Sequence, residues 1–353
     1  MQLDQLGWNL RFSSYFRVFE QSGFIPGRVT VQQRALYQVY TQQGEILADI
    51  SGAFRHQSTY LSDFPAVGDW VALQLHDDSN GIIHAVLPRT SQFSRKVAGN
   101  TTDEHVLAAN IDTTFLMSGL DHDFNLRRIE RFLIMAWESG AKPIIILNKA
   151  DLCNDVDLRV AEVEAIAPGV PVVCLSVLHQ SGVDPIMPYL RTGETIVLLG
   201  SSGVGKSTLT NQLLGISKQA VESVRPDDSR GRHTTTHREL VLTPSGALLI
   251  DTPGLREIQL WSGHDAIDEV FTDVEELAEQ CRFRDCHHRQ EPGCAVQKAI
   301  ADGRLDPARL TSYQKLSKEL DYVTRKQDER LQSNTKARWK QIHKAMRKHP
   351  KRR

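Results

Sequence analysis

Apolar residues recur with two different periods along the chain. Between Gly27 and about Leu87 they form five short runs of alternating or β-branched residues, separated by turn-rich pieces. This pattern predicts a small Greek-key barrel of the OB type, although an SH3-like barrel would give the same pattern. The predicted strands are Arg28 to Val31, Ala35 to Thr41, Ile46 to Ser51, Asp69 to Leu73 and Ile82 to Leu87.

From Thr113 onward, strand-like apolar runs alternate with segments of helical period. This alternation predicts a parallel sheet covered by helices. A tight turn at Thr243 to Gly246 separates Glu239 to Leu242 from an apolar run that ends at Asp251, which predicts a hairpin with one antiparallel strand. The other predicted elements are strands at Thr113 to Ser118, Ile144 to Asn148, Val172 to Ser176 and Thr195 to Leu199, and helices at Leu126 to Ser139 and Asp155 to Ile166.

The remaining segments have weaker patterns. Aromatic residues scattered through residues 1–22 predict a short helix or arm packed on the barrel, and the polar residues 91–104 predict a linker. Towards the carboxyl end, helices are expected at Ala266 to Glu279 and at Leu310 to Gln332, the second charged and docked on the region before it.

A glycine-rich segment follows the strand at Thr195 to Leu199 and precedes a helix-compatible stretch. Its glycines let backbone N–H groups turn toward phosphate oxygens, Lys206 neutralises the terminal phosphates, and the Ser207 hydroxyl can ligate Mg²⁺. Because strand, loop and helix are in register, a phosphate-binding loop is favoured over a chance match. The predicted residues are Gly200, Ser201, Ser202, Gly203, Val204, Gly205, Lys206, Ser207 and Thr208.

The segment Asn148-Lys149-Ala150-Asp151 follows another apolar strand and has the form of an NKxD guanine reader. Asp151 can accept hydrogen bonds from N1–H and the 2-amino group of guanine, whereas adenine has no such pair of donors at that edge. The motif therefore predicts GTP rather than ATP. Ser176 is a candidate second contact on the guanine side, although a serine after a strand is commonly a turn residue.

Two further segments complete the nucleotide site. Asp251-Thr252-Pro253-Gly254 ends a strand, which predicts that Asp251 holds Mg²⁺ through water and that the Gly254 N–H meets the γ-phosphate. Thr234 to Thr236 lie in a polar segment from Ser217 to His237 that has the character of a switch loop. One of these threonines, assigned to Thr235, is expected to close on Mg²⁺ when the γ-phosphate is present.

The guanine reader precedes the phosphate loop in this chain, whereas an ordinary GTPase has the opposite order, so the chain is circularly permuted. The sequence resembles the circularly permuted ribosome small-subunit-dependent GTPase A family over nearly its whole length. The resemblance rests on this motif order, on the segment Gly231 to Thr236 and on a Cys/His cluster after the GTPase core. The resemblance implies a barrel that binds 16S-type ribosomal RNA. It also singles out His233 as a catalytic residue, beside Lys206 and Thr235.

Three domains are expected from these patterns. Residues 1–97 form an N-terminal arm and an OB-type barrel, residues 98–262 a circularly permuted α/β P-loop GTPase domain, and residues 263–353 a helical zinc-binding domain with a basic tail.

Three of the five cysteines cluster near two histidines. Cys281, Cys286 and Cys294 with one histidine match a structural Zn²⁺ site that has four ligands and no open position. Composition leaves His287 and His288 as competing ligands, and the spacing of the family that the sequence resembles selects His288. An odd, clustered set of cysteines favours a reducing compartment over a disulfide framework.

Charge is balanced overall, with 42 Lys and Arg against 43 Asp and Glu, but it is unevenly distributed. The tail from Lys336 to Arg353 holds nine Lys or Arg and no acidic residue, with Trp339 among them, and this density favours RNA over a merely solvated end. Basic residues in and after the barrel could contact phosphates or could simply be surface. They are Arg28, Arg34, Arg55, His56, Arg95 and Lys96.

No apolar run is long enough to span a bilayer and nothing resembles a signal peptide, so a cytoplasmic protein without membrane contact is expected, as a monomer.

The motifs thus predict a Mg²⁺-dependent GTP hydrolase. The resemblance implies that it binds the small ribosomal subunit and assists its late maturation, with the GTP state controlling association and release. Leu255 stands where many GTPases have a water-orienting Gln, so slow intrinsic hydrolysis is expected, and either His233 or a group of the partner must orient the water. Two alternatives are a GTP-regulated rRNA-binding switch in which hydrolysis is secondary, and a metabolic P-loop kinase. NKxD and DTPG together argue against the kinase.

Overall fold

The computed structural model describes residues 2–33, 36–96, 104–179, 184–215, 238–251 and 264–325. Contacts divide the chain into two compact units, which are described separately below. The first unit is Met1–Arg95 with Asp103–Gln259, and the second is Lys96–Thr102 with Leu260–Arg353. The division of the chain into three domains stays a prediction. None of the described helices combines the length and the hydropathy needed to cross a membrane.

The N-terminal part of the first unit is a closed five-stranded barrel. Its strands pair in the order β1-β2-β3-β5-β4, and β1 also pairs with β4. In β2 and β3 every second side chain is buried, which is the period expected when one face of a strand lines a core. This order confirms the predicted OB-type barrel. The strands are β1 (Ile25–Gln33), β2 (Leu36–Thr41), β3 (Gly44–Ile50), β4 (Trp70–Leu75) and β5 (Asn80–Val86).

The predicted N-terminal arm is helix α1 (Leu10–Glu20), which begins at the cap residue Asn9. Phe12 and Phe16, one helical turn apart, are both buried, and the Trp8 ring lies 4.7 Å from that of Trp70 in β4. The aromatic residues therefore pack the arm on the barrel, as expected. A second helix, α2 (Gly52–Gln57), lies between β3 and β4 and was not predicted.

The predicted linker at 91–104 is wrong at both of its ends. Residues Gln92–Lys96 form strand β6, Glu104–Ala109 form strand β7, and the two pair in a small sheet. Polar residues hid β6, in which Phe93 and Ser94 are buried, and the buried apolar residues 106–109 of β7 lie just beyond the end of the predicted linker. Residues 97–103, between these strands, lie outside the described part of the chain.

A six-stranded sheet follows, in the order β10-β9-β8-β11-β13-β12. All pairings are parallel except that of β12 with β13, which is the predicted hairpin. The predicted alternation of strands and helices is confirmed for the described residues. The elements are β8 (Thr113–Gly119), α3 (Leu126–Ser139), β9 (Lys142–Asn148), α4 (Val156–Ile166), β10 (Val172–Cys174), β11 (Thr195–Gly200), α5 (Lys206–Leu213), β12 (Glu239–Leu242) and β13 (Leu248–Asp251).

The barrel and this sheet are continuous, because β1 pairs with β12 at Val31 and Glu239. A buried arginine, Arg28, strengthens the junction. Its guanidinium donates to the Asn110 carbonyl (2.9 Å) and to Thr195 Oγ1 (2.7 Å) in the sheet region, and to the carbonyls of Leu6 and Gly68. Burial lowers the pKa of Arg28 to about 10, which still leaves it charged at neutral pH. A role for Arg28 as a phosphate contact is therefore wrong: the side chain is 2 % exposed.

The second unit is helical in its described part. The single helix predicted at Ala266 to Glu279 is two helices, His264–Val270 and Thr272–Ala278, which meet at the buried Phe271. A further helix spans Ala295–Ala301, and residues 307–325 are helical. Arg309 in this last helix donates to both carboxylate oxygens of Asp273 and stacks on Phe271. The Tyr313 hydroxyl donates to Glu275 Oε1 at 2.6 Å, which confirms the predicted docking in the described part of this helix, and residues 326–332 lie outside the described chain.

Candidate nucleotide-binding site and metal centre

Four loops meet at the carboxyl edge of the sheet, where open α/β sheets bind their ligands. They follow β8, β9, β10 and β11, which are neighbours in the sheet although β11 comes last in the chain. Three of them carry the predicted phosphate loop, the NKxD segment and Ser176. The fourth, residues 120–125 between β8 and α3, carries no motif recognised in the sequence.

The phosphate loop runs from Gly200 to Gly205, and helix α5 begins at Lys206. Val204 is buried and fixes the middle of the loop in the core, while Ser202, Gly203, Ser207 and Thr208 are exposed to a ligand. Lys206 Nζ donates to the carbonyl oxygens of Gly200 (2.8 Å) and Ser201 (2.5 Å). Its ammonium group therefore already lies over the loop in which a phosphate would sit.

Gly205 is required by both conformation and space. Its φ is 106°, a region that side chains disfavour, and a Cβ at this position would lie 2.3 Å from Asn148 Nδ2. This close approach lets the amide of Asn148 reach into the phosphate loop. The NKxD asparagine and the phosphate loop are therefore in direct contact.

Asn148, almost fully buried, joins three of the loops. Its Nδ2 donates to the Val204 carbonyl at 2.7 Å, and its Oδ1 accepts from the Val177 backbone N–H at 3.0 Å. Both ends of the amide are thereby satisfied, which fixes the orientation of the side chain. The guanine-reading segment, the Ser176 loop and the phosphate loop are thus held in one arrangement by a single side chain.

Asp151 and Ser176 also come together. Ser176 Oγ donates to Asp151 Oδ1 at 2.5 Å, and Ala150 donates its backbone N–H to the Leu175 carbonyl at 3.2 Å. The Ser176 hydrogen bond lowers the pKa of Asp151, so the group is a carboxylate at neutral pH. His179 Nε2 lies 3.6 Å from Asp151 Oδ2. A carboxylate with one oxygen held by a serine can accept paired N–H donors of the kind that guanine offers.

The 120–125 loop supplies two carboxylates that the sequence analysis missed. Lys149 Nζ donates to Asp121 Oδ2 at 2.6 Å, and Ser201 Oγ donates to Asp123 Oδ2 at 2.5 Å. Hydrogen bonds from Lys149 and from Arg128 lower the pKa values of Asp121 and Asp123 respectively. The available signal was positional: two aspartates directly follow a strand that neighbours both motif-bearing strands.

Several predicted site residues lie outside the described chain. They are His233, Thr235 and Gly254. Asp251 ends β13, which pairs in parallel with β11, so its backbone lies at the same edge of the sheet as the phosphate loop. Of the three predicted catalytic residues, only Lys206 is described.

A second candidate site lies in the second unit. Ligand atoms of Cys281, Cys286, His288 and Cys294 all lie within 4.8 Å of one another, and this set could hold a metal ion. His288 Nδ1 is 3.6 Å from the sulfurs of Cys281 and Cys294, which are 3.8 Å apart. His287 is exposed, so of the two competing histidines His288 is the one that faces the thiols.

The backbone of the cluster orients these ligands. His288 has a φ of 55°, and its carbonyl accepts a 2.6 Å hydrogen bond from Gln297 Nε2. The sulfurs of Cys281 and Cys294 accept backbone N–H groups of Ala295 and Gln297. Burial lowers the pKa of His288, which favours the neutral imidazole that binds metals.

Comparison with known proteins agrees with this geometry. The model of the RsgA GTPase family matches residues 86–261. The chain is 46 % identical to a small ribosomal subunit biogenesis GTPase RsgA of Opitutus terrae, over 98 % of this chain and 97 % of that protein. It is 40 % identical to the protein of the same name from Methanosarcina acetivorans, over 95 % of this chain and 90 % of the relative.

Two solved structures share the fold. The crystal structure of YjeQ from Thermotoga maritima aligns with a TM-score of 0.62 and 28 % identity, covering 84 % of this chain and 98 % of that one. YloQ, described as a circularly permuted GTPase, aligns with a TM-score of 0.57 and 27 % identity, covering 87 % of this chain and 96 % of its own. The match to circularly permuted structures agrees with the motif order read in the sequence. On the identity and coverage of these relatives, the chain belongs to the RsgA GTPase family.

Proposed function

We propose that this protein hydrolyses GTP to GDP and phosphate and assists the late maturation of the small ribosomal subunit, with its nucleotide state controlling association and release. The observation that carries the proposal is the link that Asn148 makes between the guanine-reading segment and the phosphate loop. This contact holds the segment proposed to bind the guanine base and the loop proposed to bind the phosphates at a fixed distance, as binding of one guanine nucleotide requires. The names of the relatives support the small subunit as the partner.

Selectivity for guanine follows from the Asp151 carboxylate. It offers acceptors to N1–H and the 2-amino group of guanine, and adenine would leave it unpaired. Ser176 holds one carboxylate oxygen and so orients the group. We expect Lys206 to exchange its two carbonyl partners for the β- and γ-phosphates when nucleotide enters, because a phosphate is the stronger acceptor.

Magnesium would be held by the Ser207 hydroxyl and by Thr235, with Asp251 acting through water. The ion would neutralise charge on the β- and γ-phosphates. Ser207 is exposed on the first turn of α5, beside the loop, which suits this role. His233 or a group of the partner would orient the attacking water, since Leu255 has no polar group.

We assign Zn²⁺ to the cluster of Cys281, Cys286, His288 and Cys294. Zinc bonds of about 2.3 Å to sulfur and about 2.0 Å to nitrogen imply tetrahedral edges of about 3.8 Å between sulfurs and about 3.5 Å from sulfur to nitrogen. Among Cys281, Cys294 and His288 the separations are 3.8 Å between the sulfurs and 3.6 Å from each sulfur to Nδ1, and Cys286 completes a set whose ligand atoms lie within 4.8 Å of one another. With four protein ligands the site has no open position, so a structural role is expected. Elemental analysis of the purified protein should give one zinc per chain.

RNA would be bound by the barrel and by the basic tail from Lys336 to Arg353, which lies outside the described residues. The barrel keeps exposed cationic groups, including Arg55 on α2 and its neighbour His56. A cytoplasmic location and a monomeric state complete the proposal.

Phosphate release from GTP tests the proposal. It should be measured for the protein alone, with isolated small subunits and with isolated large subunits, at fixed salt because RNA binding is salt-dependent. We expect slow release alone and strong stimulation by small subunits only. Lys206→Ala protein is the control for contaminating phosphatases. Equal, slow turnover in all three mixtures would contradict the proposed partner, and GTP binding without any turnover would favour an RNA-binding switch.

A further inference from the structure

Two carboxylates of the 120–125 loop each hold one of the nucleotide-binding loops. Asp121 Oδ2 accepts from Lys149 Nζ of the guanine-reading segment at 2.6 Å, and Asp123 Oδ2 accepts from Ser201 Oγ of the phosphate loop at 2.5 Å. The two aspartates are only two residues apart. A change in the position of this loop would therefore move both halves of the nucleotide site.

The 120–125 loop is itself fixed to the sheet. Leu120 donates its N–H to the Asn148 carbonyl at 2.8 Å, and Phe124 donates to the Asp121 carbonyl at 3.0 Å. The Asp121 side chain also accepts the backbone N–H of Asp123 at 3.2 Å. The loop is thus a closed turn, joined to the strand that carries the NKxD segment.

Helix α3 holds the Asp123 side chain. Arg128 Nη1 donates to Asp123 Oδ2 at 2.6 Å, and Asn125 caps the helix by accepting the Arg128 backbone N–H at 3.1 Å. The carboxylate therefore takes two donors on one oxygen, one from α3 and one from the phosphate loop. Charge-assisted hydrogen bonds of this kind are about twice as strong as neutral ones.

Burial makes the Asp121–Lys149 contact more than a surface ion pair, whereas the Asp123–Arg128 pair is partly exposed, with side chains 32 % and 37 % exposed. The Asp121 side chain is 11 % exposed and that of Lys149 is 28 % exposed, whereas the barrel pair Arg55 and Asp49 is 55 % exposed on both sides. Exposed pairs contribute little because water and salt screen them. Shielded pairs fix geometry more firmly, since leaving one member alone would cost more.

We infer that Asp121 and Asp123 are positioning residues for nucleotide binding: Asp121 sets Lys149 beside the base, and Asp123 sets the phosphate loop through the Ser201 hydroxyl. The inference rests on the proposed function, because it takes these loops to bind a guanine nucleotide. Neither aspartate touches the nucleotide in this scheme. Each acts through the residue that it holds.

The two aspartates should affect binding through different partners, which a double-mutant cycle can separate. Asp123→Ala should weaken GDP binding roughly tenfold, the effect of losing about one charge-assisted hydrogen bond. Asp123→Asn keeps an acceptor for Ser201 but loses the charge, so its effect should be smaller. In a Ser201→Ala background, Asp123→Ala should cost little more, because the bond is already absent. The same cycle applies to Asp121 and Lys149.

The experiment is a titration of the full-length protein with a ribose-labelled fluorescent GDP in Mg²⁺ buffer, with the dissociation rate measured by chase. Asp157→Asn, which changes an exposed carboxylate on α4, is the matched control and should bind as the unmodified chain does. Thermal unfolding of each variant separates positioning from stability: a merely structural role would lower the midpoint and leave the Kd of the folded protein unchanged.

The outcomes distinguish the two proposals. Unmodified protein that fails to bind labelled GDP would overturn the proposed function. Unmodified protein that binds, together with Asp123→Ala and Asp121→Ala variants that bind equally well, would overturn only the inference. Additive effects of Asp123→Ala and Ser201→Ala would also overturn it for Asp123. If an alanine variant does not fold, the asparagine variant at the same position supplies the test.

Discussion

The nucleotide site and the metal cluster are built in opposite ways. The four candidate metal ligands come from one short stretch of chain, and their ligand atoms lie within 4.8 Å of one another. The nucleotide site draws its loops from four strands that are neighbours in the sheet, although their motifs occur in permuted order along the chain. The arrangement of the Cys/His cluster thus depends on the local spacing of its ligands, whereas that of the nucleotide site depends on the packing of the whole sheet.

Metal removal should have the largest effect, and it should be confined to the second unit. Structural zinc contributes on the order of 10 kcal/mol to the folding of small domains. A strong chelator, or Cys294→Ser, should reduce the helical circular dichroism signal. The affinity for labelled GDP should change less than about threefold, since the nucleotide loops belong to the other unit. Loss of GDP binding together with the helical signal would contradict the division into independent sites.

The stability of the sheet that carries the nucleotide site should instead depend on a residue far from that site. Arg28→Met removes the donors to Asn110 and Thr195, and Thr195 begins the strand that leads to the phosphate loop. Leaving these buried acceptors unpaired should cost about 3 kcal/mol or more of unfolding free energy, as measured by urea denaturation. Arg55→Met, at an exposed arginine of the barrel, is the control and should change stability by less than about 0.5 kcal/mol. Equal effects of the two variants would show that the junction does not support the sheet.

The same contrast explains what could be predicted from the sequence. The phosphate loop, the NKxD segment and the cysteine spacing are local patterns. The period of the apolar residues, two in strands and 3.6 in helices, predicted most of the strands and helices. The 120–125 loop and Arg28 could not be found this way, because the loops they hold and the junction they form involve partners 22 to 167 residues away. Nothing near Asp123 in the sequence indicates Ser201. The strands β6 and β7 were missed because each is short and its buried residues do not form an alternating pattern.

Guanine selectivity should change when Asp151 is replaced. Asp151→Asn keeps the shape and the Ser176 hydrogen bond but puts a donor where guanine also donates. Affinity for GDP should fall roughly 100-fold, and xanthosine diphosphate, which carries an oxygen in place of the 2-amino group, should bind better than GDP. Competition titration with both nucleotides measures this. Continued preference for GDP would mean that another group reads the base edge.

The smallest effect is expected at Ser176. Ser176→Ala removes the hydroxyl that orients Asp151 and lowers its pKa, and GDP affinity at neutral pH should fall only about threefold to tenfold, the range for one hydrogen bond. The pH dependence is the sharper readout. In the unmodified protein the lowered pKa keeps Asp151 charged at every pH above it, so guanine binding is lost only when the pH falls through this lowered pKa. Without Ser176 the pKa rises towards the ordinary value, so GDP affinity should begin to fall at a higher pH than in the unmodified protein. Thr208→Ser, on the exposed first turn of α5, is the control and should leave the pH dependence of GDP affinity unchanged. An unchanged pH dependence in Ser176→Ala would mean that the serine is only a turn residue.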